Sequence, residues 1–269
     1  GLSWIVMALF GALPVCIGGE IPHYIDALFE IISGFTTTGA SILSDVEALS
    51  RCNIYWRSFS HWLGGMGMLV FLLAVVPEAR KSAGSGMYLM RAESPGPSVG
   101  KLTPHLRQTA MILYGMYILL TLLCIGFLLL GGMSVFDSFC IAFGTAGTGG
   151  FSIRNSGMAD YSAYLQNVVT IFMFLFGVNF SLYFLLLIRQ FKSVFKNEEL
   201  RLYAGLAAGS ILLITINITG MYGSIGEALH HAAFQVSSIM TTTGYASVDF
   251  EQWPAFSKAI LFALMFVGA

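Results

Sequence analysis

The sequence predicts an all-α membrane protein built from repeated units, and three observations carry that expectation. Of its 269 residues, 56% are hydrophobic and only 10% charged, with a mean hydropathy of +0.77; a soluble domain carries about a quarter charged residues. Apolar runs of spanning length, about 20 residues, alternate with runs too short to cross. Each short run ends in a Thr/Gly-rich elbow, and the elbow recurs three times: Gly34-Phe35-Thr36-Thr37-Thr38-Gly39-Ala40-Ser41, Gly147-Thr148-Gly149-Gly150-Phe151-Ser152 and Thr241-Thr242-Thr243-Gly244-Tyr245-Ala246-Ser247.

Taken in order, Leu2–Ile17 is an apolar run shortened by Pro14, followed by the short run Tyr24–Phe35 and a full span over Trp56–Pro77. A basic loop, 78–108, leads to the span Thr109–Gly131, the short run Val135–Gly144 and the span Ala163–Ile188. After a second basic connector come the span Leu202–Gly220, the short run Ile225–Met240 and the apolar end Ala255–Ala269. At 1.5 Å per residue a twelve-residue helix covers about 18 Å, roughly half the hydrocarbon core. The short runs therefore read as re-entrant helices that enter, stop at the elbow and return. The expected units are 1–77, 109–190 and 202–269, the last truncated in its final span, with cytoplasmic segments 78–108 and 191–201 between them. Internal repetition of this kind defines architecture ahead of any motif. A pore made of such units wants roughly fourfold symmetry, so three copies imply a fourth beyond Ala269.

Irregular backbone survives at membrane depth only when buried in protein or lining a water-filled path, and rings of carbonyl and hydroxyl oxygens are how a pore replaces a cation's hydration shell. A single Thr/Gly elbow would read as a surface turn. Three, each after a half-length apolar helix and before an acidic loop (Asp45, Glu47, Asp160, Asp249, Glu251), point to a cation pathway. Glycine allows φ > 0 where filter carbonyls must turn inward. The negative dipole ends of the short helices face the ion.

Orientation follows from the basic residues. Nine of the thirteen, Arg80, Lys81, Arg91, Lys101, Arg107, Arg189, Lys192, Lys196 and Arg201, lie on the face opposite the elbows. By the positive-inside rule that face is cytoplasmic and the elbows open outward. The formal net charge of −1 offers no global basic field for nucleic acid. Gly1 is not Met and the apolar opening lacks a basic start, so no cleavable signal is expected and the chain reads as an excerpt.

Other residues have plainer readings. Cys16, Cys52, Cys124 and Cys140 show no C-x-x-C pair and read as buried thiols. Gly64, Gly65 and Gly67 read as small residues that let helices approach. Asn179, mid-span, is expected to bond across helices or line a cavity. His230 and His231 lack a spaced metal-ligand partner and read as packing or interfacial residues. Asp26, Asp137 and Glu227 complement helix N-termini. Arg154 is expected in a salt bridge with an outer-loop acid. Enzyme readings lack parts: no Ser-His-Asp set, phosphate loop or H-E-x-x-H stands in context.

With the elbows, three further strings, Trp62-Leu63-Gly64-Gly65-Met66-Gly67, Arg91-Ala92-Glu93-Ser94-Pro95-Gly96-Pro97 and Ala233-Phe234-Gln235-Val236, resemble the Trk/Ktr/HKT superfamily of potassium transporters over essentially the whole chain, its bacterial Trk-system branch above all. The resemblance implies span–pore helix–filter loop–span units around a pseudo-fourfold cation pore, in a bacterial inner membrane, with potassium as the ion and no organic cofactor. It places the filter at Thr36, Thr37, Thr38, Gly39, Thr148, Gly149, Gly150, Phe151, Thr241, Thr242, Thr243, Gly244 and Tyr245, with Gly39, Gly150 and Gly244 as the key glycines. The second elbow departs from Thr-Thr-Thr-Gly by setting Gly147-Thr148-Gly149 opposite the other threonines, leaving its carbonyls to contribute. The resemblance also implies an intramembrane gate just past Gly268 and Ala269, a homodimer, and a cytosolic nucleotide-binding regulatory subunit of the TrkA type. Arg80, Lys81, Lys192 and Lys196 are the docking candidates for that subunit. A secondary transporter coupling K+ to Na+ or H+, and a non-transporting membrane scaffold, are the alternatives.

Overall fold

The computed structural model describes residues 2–67 and 106–267. Among them all regular structure is helical. The helices are α1 (Leu2–Ile17), α2 (Tyr24–Phe35), α3 (Arg51–Gly65), α4 (Leu106–Leu130), α5 (Val135–Ala146), α6 (Ala163–Phe176), α7 (Phe180–Leu187), α8 (Phe191–Phe195), α9 (Glu198–Ile218), α10 (Ile225–Met240) and α11 (Ala255–Met265).

Two of the three short helices, α5 and α10, start where a serine side chain from the preceding loop satisfies one of their first N–H groups. Ser134 Oγ accepts from the Asp137 N–H at 3.1 Å, and Ser224 Oγ from the Glu227 N–H at 3.1 Å. Glu227 Oε2 in turn accepts from the Gly223 N–H at 3.2 Å, a near-reciprocal capping box. Asp26 sits in the first turn of α2, where His23 supplies no side-chain cap.

Packing repeats. The short helices α2, α5 and α10 each lie between two flanking helices, α1 and α3, α4 and α6, α9 and α11. The sets are joined the same way twice: α3 packs on α5, and α6 packs on α10. One core gathers residues of α3 to α6 and admits Phe234 and Tyr245 from the third set; two smaller cores fill the first and third sets. The polarity is inverted relative to a soluble bundle. Phe10, Ile17, Leu122, Ile216 and Phe262 stand exposed, while Glu30, Arg57, Ser60, His61, Ser138, Thr145, Gln235 and Ser237 are buried. Such a surface suits lipid, and its buried polar groups need partners.

Two expected spans differ. Helices Ala110–Leu130 and Glu198–Met221 are long and apolar enough to cross a membrane. The run Ala163–Ile188 is instead two helices, α6 and α7, bent by 87°. Asn179 explains the break, because its Oδ1 caps α7 by accepting from the Ser181 N–H at 3.0 Å. Its Nδ2 also reaches Glu199 Oε2 of α9 at 3.3 Å, the expected interhelical bond. The run from Trp56 likewise begins earlier, at Arg51, and its helix ends at Gly65, with Gly67 at φ +67°; residues 68–77 lie outside the described residues.

Candidate functional site

The three elbows share one backbone. After each short helix the N–H groups of the second and third residues beyond it turn back to carbonyls of the last helical turn. Thr37 donates to Gly34 O (3.1 Å) and Thr38 to Ser33 O (2.9 Å). Thr148 and Gly149 do the same to Thr145 O and Gly144 O (both 3.2 Å), and Thr242 and Thr243 to Ile239 O (3.1 Å) and Ser238 O (2.8 Å). This is the Schellman closure, whose left-handed residue is ordinarily glycine. Here it is threonine each time, at φ 54°, 50° and 57° for Thr37, Thr148 and Thr242. A β-branched residue in that region is strained, and such strain clusters at working sites. Two residues on, Gly39, Gly150 and Gly244 also have positive φ, 75°, 70° and 84°.

The elbows abut in sequence. A Cβ on Gly39 would collide with the carbonyl oxygen of Gly149, and one on Gly150 with that of Thr243. The residue after the glycine reaches back into the preceding set. Tyr245 donates its hydroxyl to Phe151 O at 3.2 Å, beside Ile141 O of α5. Phe151 packs against α3. Gly64 and Gly65 of α3 lie against Phe35 O of the first elbow and Gly147 Cα of the second, and Gly177 lies against Thr241. The expected close-packing role of Gly64 and Gly65 thus holds the elbows from behind.

The threonine hydroxyls are partly engaged. Thr36 and Thr241 donate to Ile32 O (2.8 Å) and Ser237 O (2.7 Å), and they pair with Thr38 (2.7 Å) and Thr243 (2.8 Å). The second elbow, with Gly147 and Gly149 at these positions, lacks this hydroxyl pair.

Sequence reasoning missed a polar cluster behind the first two elbows. Arg57 of α3 and Glu30 of α2, 2% and 0% exposed, form an ion pair at 2.6 Å, with Arg57 Nε donating to Glu30 Oε1 at 2.7 Å. Glu30 also accepts from Ser41 Oγ (2.9 Å) and the Ile42 N–H (3.0 Å) in the segment leaving the first elbow. The Arg57 guanidinium lies over the Phe151 ring at 4.0 Å, and the His61 ring stacks on the same ring at 3.9 Å. The legible signal was an acid in one apolar run and a base in the next, since ionisable groups at membrane depth pair with one another.

Other expectations resolve individually. His230 bonds Asn167 (2.8 Å) and Gln166 (2.6 Å) of α6, a packing role. Arg154 makes no salt bridge among the described residues: it lies 4.5 Å over the Tyr161 ring, so the expected ion pair is replaced by a cation–π contact. The loop acids bond to Asn155 instead, which donates to Asp45 Oδ1 at 2.7 Å and through its backbone N–H to Glu47 Oε1 at 3.1 Å. Asn155 thereby holds the Asp45 carboxyl below the usual aspartate range. Cys124 and Cys140 are buried as expected, but Cys52 is exposed and Cys16 half-buried. No group of three or more His, Cys, Asp or Glu gathers as a metal site among the described residues. Lys192 of α8 and Lys196 at its C-terminal cap are both exposed. Arg80, Lys81, Gly268 and Ala269 lie outside the described residues.

The Trk system potassium uptake protein TrkH of Halomonas elongata is 35% identical over 273 residues, covering 99% of this chain and 56% of its own length. TrkG of Escherichia coli is also 35% identical over the same extents. The crystal structure of the potassium transporter TrkH from Vibrio parahaemolyticus superposes with a TM-score of 0.80 at 29% identity, covering 98% of this chain and 54% of that one. The chain spans about half the length of the curated relatives it matches. The family model described as TrkH, cation transport protein, matches residues 2–223. The chain therefore belongs to the TrkH family of cation transport proteins.

Proposed function

We propose that this chain forms the filter-bearing part of a potassium uptake pore, its three elbows contributing backbone carbonyls to one cation path. The observation that carries the reading is the shared elbow backbone, with a left-handed threonine and a left-handed glycine at matching places and each of the first two glycines against the next elbow's carbonyl. Curved, close-set carbonyls are what an ion needs in exchange for its water. The short helices end at the elbows, so their negative dipole ends favour a cation. Because Thr36 and Thr241 hydroxyls bond back to their helices, the carbonyls of Thr36–Gly39, Thr148–Phe151 and Thr241–Tyr245 are the principal ligands in this reading. Potassium is the ion specified in the relatives' names.

The units 1–77, 109–190 and 202–269 are three of four pore repeats in this reading, the elbows face outward in the bacterial inner membrane, and a gate follows Gly268 and Ala269. The working protein is a homodimer that binds a cytosolic nucleotide-binding regulatory subunit, with Arg80, Lys81, Lys192 and Lys196 as docking residues. Rubidium uptake into proteoliposomes holding the complete protein tests the core claim. Uptake that K+ suppresses far more strongly than Na+ is expected; absence of alkali-ion flux supports the scaffold alternative. Uptake that requires a Na+ or H+ gradient supports the coupled transporter, which the 87° break between α6 and α7 favours as a broken helix.

A further inference from the structure

The groups behind the first two elbows do more than neutralise one another. Phe151 follows the left-handed Gly150, is 2% exposed, and belongs to the second elbow, yet its ring contacts are with α3 of the first set. Arg57 and His61 stand one turn apart on α3, and each lies about 4 Å from the ring centroid, at 4.0 Å and 3.9 Å. Two planar groups at that distance cannot share one face, so the ring sits between them. The backbone is held as well, with the Phe151 N–H directed to His61 Nδ1 at 3.5 Å.

Arg57 is itself fixed. It is oriented by Glu30 through Nε and Nη2, and Nη2 also donates to Ser41 Oγ at 3.3 Å. Glu30 and Ser41 are both tied to the segment that leaves the first elbow. One guanidinium therefore touches the segment leaving one elbow and the ring that follows the glycine of the next. Arginine suits the task because its planar fork pairs with a carboxylate while its face stacks on an aromatic ring.

We propose that Arg57, oriented by Glu30, and His61 form a clamp on Phe151 that sets the relative position of the first two elbows and so determines ion discrimination. Arg57, Glu30 and His61 are positioning residues that do not contact the ion, and the Phe151 ring they hold acts only through the backbone of its elbow. This deepens the filter reading and rests on it. A lysine at 57 keeps the charge but loses the fork and the stacking face; a leucine at 151 keeps the apolar volume but loses the ring.

The test is rubidium uptake into proteoliposomes of the complete protein, read as the ratio of Na+ to K+ concentrations that halve it. A ratio does not depend on how many molecules insert, so weak expression does not mimic the effect. Arg57→Lys and Phe151→Leu are each expected to lower the ratio by about tenfold, since carbonyl positions good to about 0.5 Å are what such a site requires. The double variant is expected to fall no further than the single ones, because both remove one contact. Gly39→Ala is run beside them. If Gly39→Ala lowers the ratio while Arg57→Lys and Phe151→Leu leave it unchanged, the clamp is wrong and the filter stands. An unchanged ratio in Gly39→Ala removes both. Full additivity in the double variant also overturns the clamp.

Discussion

Replacing Gly39 by alanine separates two costs that usually arrive together. Gly39 and Gly19 have nearly the same backbone, φ +75° and +76°, so a Cβ at either position carries the same left-handed penalty, about 1–2 kcal/mol. Their surroundings differ completely. Nothing lies within 4 Å of a Cβ built on Gly19, whereas one on Gly39 overlaps Gly149 O and comes within 3.2 Å of the carbonyl carbon. Ordinary contact requires that peptide to retreat by roughly 1.5 Å, about three times the tolerance of about 0.5 Å that a precise site allows. Gly19→Ala is therefore expected to lower thermal stability and leave ion preference within about twofold of the parent, a shift below about 0.5 kcal/mol. Gly39→Ala is expected to reduce the preference for K+ over Na+ by about tenfold or more, at least about 1.4 kcal/mol of discrimination. The assay is K+ and Na+ competition against rubidium uptake in proteoliposomes, with melting followed on the same preparations. Equal preference in the two variants, with rubidium flux retained, would refute the reasoning.

Three further outcomes follow from the geometry. Cysteines introduced at Asp45, Asp160 and Asp249 should react with an impermeant thiol reagent from outside and one at Lys196 only after permeabilisation; labelling of 45 and 160 from opposite sides sinks the repeat topology. Arg57→Ala strands Glu30 in the interior and should cost about 3–5 kcal/mol, as loss of one partner of a buried pair does, visible as a drop in melting temperature in detergent. Asn155→Ala frees the Asp45 carboxyl, so its titration should move up toward the ordinary aspartate value. Because the pKa of that carboxyl is depressed in the folded protein, the tie between the two outer loops is present above the ordinary aspartate pKa and fades as pH falls through the lowered one. An infrared carboxylate titration that is the same with and without Asn155 would show that the tie is absent.

The half-length helices were legible because length and apolar character suffice for them, and Tyr24–Phe35 and Ile225–Met240 end where the elbows begin. The bend after Phe176 was not. Gly177-Val178-Asn179 lies inside an unbroken apolar run, and only the cap that Asn179 provides distinguishes a break from a polar residue bonding to a neighbour. Arg154 misled for a related reason: the outer loops offer acids, but Asn155 takes two of them, Asp45 and Glu47, and Tyr161 supplies the face that Arg154 covers. The Arg57–Glu30 pair was visible in composition, as opposite charges in adjacent apolar runs. Its contact with Phe151 was not, since it joins residues of different units and no local pattern records it.

The glycines raise a question that sequence logic answers incompletely. Positive φ is the usual reason for a glycine in a filter loop, yet Thr37, Thr148 and Thr242 occupy the same region two residues earlier with side chains in place. Left-handed backbone thus does not by itself demand glycine in these elbows. What excludes a side chain at Gly39 and Gly150 is the neighbouring elbow, whose carbonyl occupies the space a Cβ would need. The threonines tolerate their strain because the Schellman bonds on either side hold them; the glycines have no such latitude, because their restraint comes from a separate segment of chain. It follows that the elbows are not independent loops. A change at one glycine is transmitted through a carbonyl to the next elbow, and the Phe151 and Tyr245 rings carry each elbow's position back to the set before it.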